Sequence, residues 1–219
     1  MFFIGVDLGQ KEDHTAIAIV ERPDLLRGQQ ALEYQAALRV RAYLVQGDQA
    51  RPAVSLLVRR VQRTALGTPY PRVVEIVREI ARGQAFAGQC VVVVDGTGVG
   101  APVVDMLRAA GLGCEITAVT ITGGERESRR GSLNVGVPKR DLIAGVQMAL
   151  EKGELRIARR MKDVGALVRE LMDVRMAAGG AIGADRHGEH DDLVIALALA
   201  CWRARKRENG ERGQRLPGI

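Results

Sequence analysis

The chain has 219 residues, 47% of them hydrophobic, and 32 Lys/Arg against 26 Asp/Glu give a net charge of +6. That length suits one domain with enough apolar side chain for a sizeable core. Mean hydropathy near zero marks a soluble, globular chain, and the longest apolar run is too short to span a bilayer.

The first strand is expected over Met1–Val6 and runs into Asp7 and Gly9. A polar loop leads to a second strand over Thr15–Val20, and the two read as a β-hairpin. Residues 21–53, punctuated by Pro23, Gly28, Gly47 and Pro52, read as an insertion. Val54–Leu66 reads as a strand whose Arg59-Arg60 and Gln62-Arg63 pairs blur the alternation. Val73, Ile76, Val77 and Ile80 recur at helical spacing within Arg72–Arg82. Cys90-Val-Val-Val-Val94 is the unbroken apolar run expected of a strand covered on both faces, and it ends at Asp95.

Gly96–Gly100 forms a tight loop into a helix over about 101–110, and Glu115–Ile121 is the next strand. Residues 122–137 carry four glycines among Glu and Arg and read as a mobile loop. Pro138 suits the first turn of a helix reaching about Glu151. A short strand over Leu155–Ala158, a helix over Met161–Met172 and a glycine-rich loop over Gly179–Gly188 complete the order. A hairpin followed by alternating helix and strand implies a mixed central sheet with helices on both faces.

The last element is the most informative. His187-Gly-Glu-His-Asp-Asp192 abuts ten uncharged residues, Leu193–Trp202. A helix apolar on every side has to be buried, so its start carries Asp191 and Asp192 to the edge of a core. There they must be capped, paired or bound to metal. From Arg203 to Ile219 six Lys/Arg and two Glu make +4, which leaves the body at only +2. The segment 203–219 therefore reads as a basic, disordered tail. The N-terminus lacks the charged start of a signal peptide. Cys90, Cys114 and Cys201, odd in number and without metal-ligand spacing, read as buried thiols of a reducing compartment.

Carboxylates thus stand at the ends of three buried elements: Asp7, Asp95 and the Asp191/Asp192 pair. Sites in open α/β sheets form at the carboxyl ends of strands. If strand one and the valine strand are neighbours, Asp7 and Asp95 face one another there. Any one of these acids alone is most simply a turn or cap residue, but three together favour a site. Clustered carboxylates repel unless a cation neutralises them or one is protonated, and hard oxygen ligands suit Mg²⁺ or Mn²⁺.

Three stretches carry a resemblance: Val6-Asp7-Leu-Gly with Asp13-His-Thr-Ala-Ile-Ala, Val94-Asp95-Gly-Thr-Gly-Val-Gly, and Glu189-His-Asp-Asp-Leu-Val-Ile-Ala-Leu-Ala. With Val137-Pro-Lys-Arg-Asp-Leu-Ile they resemble the nuclease domain of phage terminase large subunits of the prophage type. The resemblance implies an RNase H-like fold and an endonuclease that cuts double-stranded DNA with two divalent ions, Mg²⁺ or Mn²⁺, during genome packaging. It implies that Asp7 bridges both metals, Asp95 holds one, Asp192 or Asp191 holds the other, and Asp13 is an accessory acid. It further implies a bacterial host cytoplasm and an ATPase motor, small terminase subunit or portal as partners.

Two departures stand out. Ile195 occupies a position where many relatives carry Asp, and no Gly-x-x-x-x-Gly-Lys-Ser/Thr motor loop occurs in these 219 residues. Lys139 and Arg140, with Arg129 and Arg130 in the preceding loop, are candidates to grip DNA phosphates, with a solvated face as the alternative. Arg156, Arg159, Arg160 and Lys162 carry the same pair of readings. Aromatics are only 3% of the chain, which argues against stacking on single strands and favours backbone contact with duplex. A Holliday junction resolvase of the same fold and a non-catalytic DNA-packaging module are the competing readings.

Overall fold

The computed structural model describes residues 1–9, 13–23, 55–98, 100–129, 134–174 and 191–212, with side chains to residue 206. Beyond its first three positions the expected insertion lies outside these residues, as do the glycine-rich stretch 179–188, His187, His190 and Arg130.

Eight strands form one mixed sheet: β1 (Phe2–Asp7), β2 (Ala16–Glu21), β3 (Leu56–Arg63), β4 (Cys90–Asp95), β5 (Glu115–Thr122), β6 (Ser128–Arg129), β7 (Asn134–Pro138) and β8 (Leu155–Ile157). Their order is β6-β7-β5-β4-β1-β2-β3-β8. The described helices are α1 (Tyr70–Arg82), α2 (Gly100–Ala109), α3 (Lys139–Glu151), α4 (Val164–Asp173) and α5 (Asp192–Arg212).

β1 and β2 form the expected antiparallel hairpin, with Asp7 opposite Ala16. β4 runs parallel to β1 with Val94 beside Val6, so the next residues, Asp7 and Asp95, emerge together at the carboxyl edge of the sheet. The apolar runs are explained by a two-sided core. Phe2, Ile4, Val6, Cys90, Val92 and Val94 face α1 and α2, whereas Phe3, Val91 and Val93 face the layer of α3, α4 and α5. Strands covered on both faces need apolar residues at both parities.

Residues 193–201 of α5 are buried without exception, because the sheet takes one side of the helix and α3 and α4 cover others. The contact with β1 is made at the level of backbone. A Cβ at Gly5 would collide with the Ala196 carbonyl and the Ala200 amide, so glycine is what lets this helix sit down on the strand.

Four expectations are corrected. Within 122–137, β7 pairs in parallel with β5 and buries Val135 and Val137. Its Gly136 is set by a cross-strand neighbour, since a Cβ there would strike the Ser128 hydroxyl. The helix expected from Met161 begins at Val164, after Asp163 adopts a left-handed backbone with φ of 60°. The strand expected over Val54–Leu66 is confined to Leu56–Arg63 and carries a bulge. Val20 pairs with Val58 but Ile19 pairs with Arg60, which makes Arg59 the extra residue. Both arginines are exposed, and the bulge accounts for the blurred alternation.

Finally, α5 continues to Arg212 through the position where a disordered tail was expected to start. Ala204 is buried, Arg203 pairs with Glu115 at 2.7 Å and Arg205 pairs with Glu154 at 2.9 Å. Lys206 pairs with Glu127 and lies 4.5 Å over the Trp202 ring. The basic residues hold the helix against the sheet side.

Gly5→Ala is expected to destabilise the protein by about 1–3 kcal/mol through overpacking. Gly145→Ala, in α3 where nothing lies within 4 Å of the added methyl, should be neutral or stabilising by up to about 1 kcal/mol. Chemical denaturation of both variants checks the contrast.

Candidate functional site

The carboxyl ends of β1 and β4 and the start of α5 open into one cleft of about 1130 Å³, whose lining includes Asp7, Asp13, Asp95, Asp191, Asp192 and Lys139. Residues far apart in sequence meet here because β1 and β4 are neighbours and α5 packs across both.

Each acid is held by a different local device. Asp95 is oriented by the loop that follows it: the Thr97 amide donates to Oδ1 at 2.8 Å and the Thr97 hydroxyl donates to the same atom at 2.5 Å. That hydroxyl oxygen in turn accepts from the Ile121 amide of β5 at 2.8 Å. Gly98 supplies the positive φ of 61° the turn needs. Gly100 lets the following helix close on the Asp95 carbonyl, which a Cβ would strike. Asp13 reaches the cleft on the loop between β1 and β2. Thr15 pins that loop by accepting from the Gly9 amide at 3.2 Å, and the His14 ring pins it through a 2.9 Å bond to the Thr64 carbonyl.

Asp191 occupies the N-cap position of α5, its carbonyl accepting from the Ile195 amide at 2.9 Å. Its side chain forms a 2.6 Å ion pair with Lys139 instead of capping the helix. The cap comes from Glu170 of α4. One Glu170 oxygen accepts from the Leu193 and Val194 amides at 2.9 and 3.1 Å, and the other accepts from Arg63 at 2.5 Å. Arg63 also lies 3.7 Å from Asp192. Glu170 and Arg63 are the site residues that sequence reading missed. A single glutamate in an amphipathic helix looks like its solvated face, and only the fold aims it at the orphan amides of α5.

The electrostatics follow. The Asp7 carboxyl is pushed well above the usual aspartate range, first by burial and then by Asp95, Asp192 and Asp191, with Lys139 opposing. Burial also raises Asp95, against the two Thr97 bonds and Lys139. The Glu170 carboxyl is pushed up to about 7 by burial. The Val194 amide and Arg63 pull it down, Asp192 adds to the rise, and the Leu193 amide pulls it down again. The result is a pocket of negative charge beside a hydrophobic core, only partly offset by Lys139 and Arg63.

The donors are carboxylate oxygens, which match hard divalent cations. Among the described residues no three acid, histidine or cysteine side chains are already drawn to the spacing of a formed metal centre; the acids line the cleft walls. Of the residues expected to grip DNA, Lys139 lines this cleft. Arg140 is engaged by the Glu125 carbonyl at 2.9 Å and by Asp141 at 3.5 Å. Arg129 is exposed on β6.

A mixed sheet with helices on both faces and acids at the carboxyl ends of its two central strands defines an RNase H-like class of protein. A family model described as the terminase RNaseH-like domain matches residues 72–203, and the chain belongs to that family. Among solved structures it is similar to the large terminase nuclease from thermophilic phage G20c, at 20% identity and a TM-score of 0.53, covering 91% of this chain and 80% of that one. The same phage nuclease with bound zinc matches at 20% identity and a TM-score of 0.50, covering 91% and 79%. At this identity the likeness is one of fold. No curated protein matches at a significant level.

Because the fold holds the Asp7 carboxyl above its unfolded value, ionising it costs the folded state more than the unfolded one. Its contribution to stability is therefore full below about pH 4 and declines as pH rises through the window above that value. In chelator, Asp7→Asn should melt above wild type by a margin that widens from about pH 4 upward. Melting curves across that range check it, and a constant or negative margin contradicts the electrostatic account.

Proposed function

We propose that residues 1–202 act as one nuclease unit, a divalent-cation-dependent endonuclease hydrolysing phosphodiesters of double-stranded DNA during genome packaging. The supporting observation is the convergence of Asp7, Asp95, Asp191 and Asp192 on one cleft in a chain of the terminase RNaseH-like family.

Asp7, central in the electrostatics, would share two ions, with Asp95 on one side and Asp192 or Asp191 on the other; Asp13 is an accessory acid at the rim. Two Mg²⁺ or Mn²⁺ ions held there supply an activated water and neutralise charge on the leaving oxygen. The remaining work belongs to the chain. Thr97 fixes the direction of Asp95. Glu170 and Arg63 hold the first turn of α5, so that its acids keep their place without the helix unwinding. Lys139 lines the same cleft beside Asp191, where its ammonium would meet an incoming phosphate. Burial and the neighbouring carboxylates hold the Asp7 proton, so a divalent cation held there would favour its loss.

Working partners would be an ATPase motor, a small terminase subunit or a portal, in the cytoplasm of a bacterial host. Among the described residues no helix is long and apolar enough to cross a membrane.

Incubation with supercoiled plasmid should give nicked and linear products with Mn²⁺ or Mg²⁺ and none with chelator. Asp95→Asn should lower the rate by more than about 100-fold, at least the cost of disturbing a metal ligand's support, with an unchanged far-ultraviolet circular dichroism spectrum. Retention of DNA without metal-dependent cutting would favour a non-catalytic packaging module. Preferential cutting of a four-way junction would favour a resolvase.

A further inference from the structure

The bulge in β3 has a consequence outside the acid cleft. By inserting Arg59 it turns Arg59 and Arg60 outward together. The turn after β8 lies alongside and brings Arg160, Met161 and Lys162 against them. Together with Gln62 these residues line a groove of about 410 Å³. Arg156 on β8 and Arg159 in the turn are exposed at its margin. Among the described residues the one ion pair in this patch is Arg59 with Glu21. Among the described residues the other nearby acids are Glu154, which pairs with Arg205, and Asp163, which precedes α4 without a side-chain capping bond. A groove lined by one sign of charge concentrates an oppositely charged partner, and a polyanion above all.

The position of the groove identifies that polyanion. Asp7 pairs with Ala16 and Ala16 with Arg63, so one row of the sheet joins the acid cleft to the end of β3. Arg60 lies two strand spacings of about 4.8 Å across from Asp7 and three residues of about 3.4 Å back along β3. That is about 14 Å, well under one turn of duplex DNA at about 34 Å. A backbone with its scissile phosphate in the cleft can therefore lay neighbouring phosphates along the groove. Among the described residues the groove is lined by Arg, Lys, Gln, Met and small apolar residues, with no aromatic ring. It therefore offers charge without the stacking platforms single strands use.

We infer that the Arg60–Arg160–Lys162 groove is a second anchor for duplex DNA, gripping the phosphate backbone about 14 Å from the bond to be cut. The inference rests on the nuclease reading and adds a track that sequence alone did not join, since β3 and the 158–162 turn are about a hundred residues apart.

The test is fluorescence anisotropy of a labelled 30-base-pair duplex in chelator over a range of salt. It uses wild type, the triple variant Arg60→Ala/Arg160→Ala/Lys162→Ala, and a control triple of equal charge loss, Arg78→Ala/Arg108→Ala/Lys152→Ala. All six positions are on the surface, and matching melting curves confirm that both variants fold. The groove variant should bind at least about tenfold more weakly, with its log Kd against log salt slope reduced by about 2–3, one phosphate contact per lost cation. The control should stay close to wild type. An unchanged slope, an equal loss in the control, or a loss confined to a single-stranded probe overturns the groove. Wild type that cuts plasmid and binds duplex while the groove variant does both equally overturns the groove alone. Wild type that neither binds nor cuts duplex overturns the nuclease reading together with it.

Discussion

Everything at the functional edge of this protein depends on one packing constraint: an uncharged helix pressed against the middle of a sheet. Residues 193–201 of α5 are buried throughout, and Gly5 removes the one side chain that would hold the helix off β1. With about nine residues of apolar surface out of water, each worth about 1–3 kcal/mol, the helix has one available depth and register. The two aspartates that precede it are then carried to the carboxyl ends of β1 and β4, where Asp7 and Asp95 already stand. The acids do not assemble the site; the hydrophobic core does, and the acids bear the electrostatic cost.

That cost is met in two ways. Lys139 and Arg63 bring positive charge to Asp191 and Asp192. Glu170, buried and with its carboxyl pushed up to about 7, satisfies two amides at the start of α5 and ties them to Arg63. Charge-assisted bonds of this kind are worth about 1.5–3 kcal/mol each, enough to hold a helix end beside like charges. What remains uncompensated is concentrated on Asp7, the residue with most to gain from a divalent cation. Structure and chemistry therefore point the same way: the fold buries a carboxylate and crowds it with others where a cation would offset both.

Much of this was legible in the sequence. The unbroken valine run predicted a strand covered on both faces, and an apolar helix preceded by acids predicted a buried element with a charged end; the sheet bears out both. Adjacency of β1 and β4 was the conditional step, and the parallel register of Val6 and Val94 satisfies it. Other features were hidden for physical reasons. β7 is a five-residue strand at the side of the sheet with glycine at its centre, so its local composition is that of a loop. The bulge at Arg59 reverses the alternation of β3 halfway along, which periodicity reads as noise. Glu170 acts through a tertiary contact to a helix 23 residues away, and no local pattern marks it. The basic end of α5 looks unstructured by composition, but Glu115, Glu127 and Glu154 from other elements pair with it.

The most direct test of the central claim is diffraction from crystals of the protein grown with Mn²⁺, with data collected at the manganese absorption edge. Anomalous difference peaks in the cleft, bounded by Asp7, Asp95 and the Asp191–Asp192 pair, are the predicted result. A cleft without anomalous signal at saturating Mn²⁺, or peaks confined to other surfaces, would contradict the account.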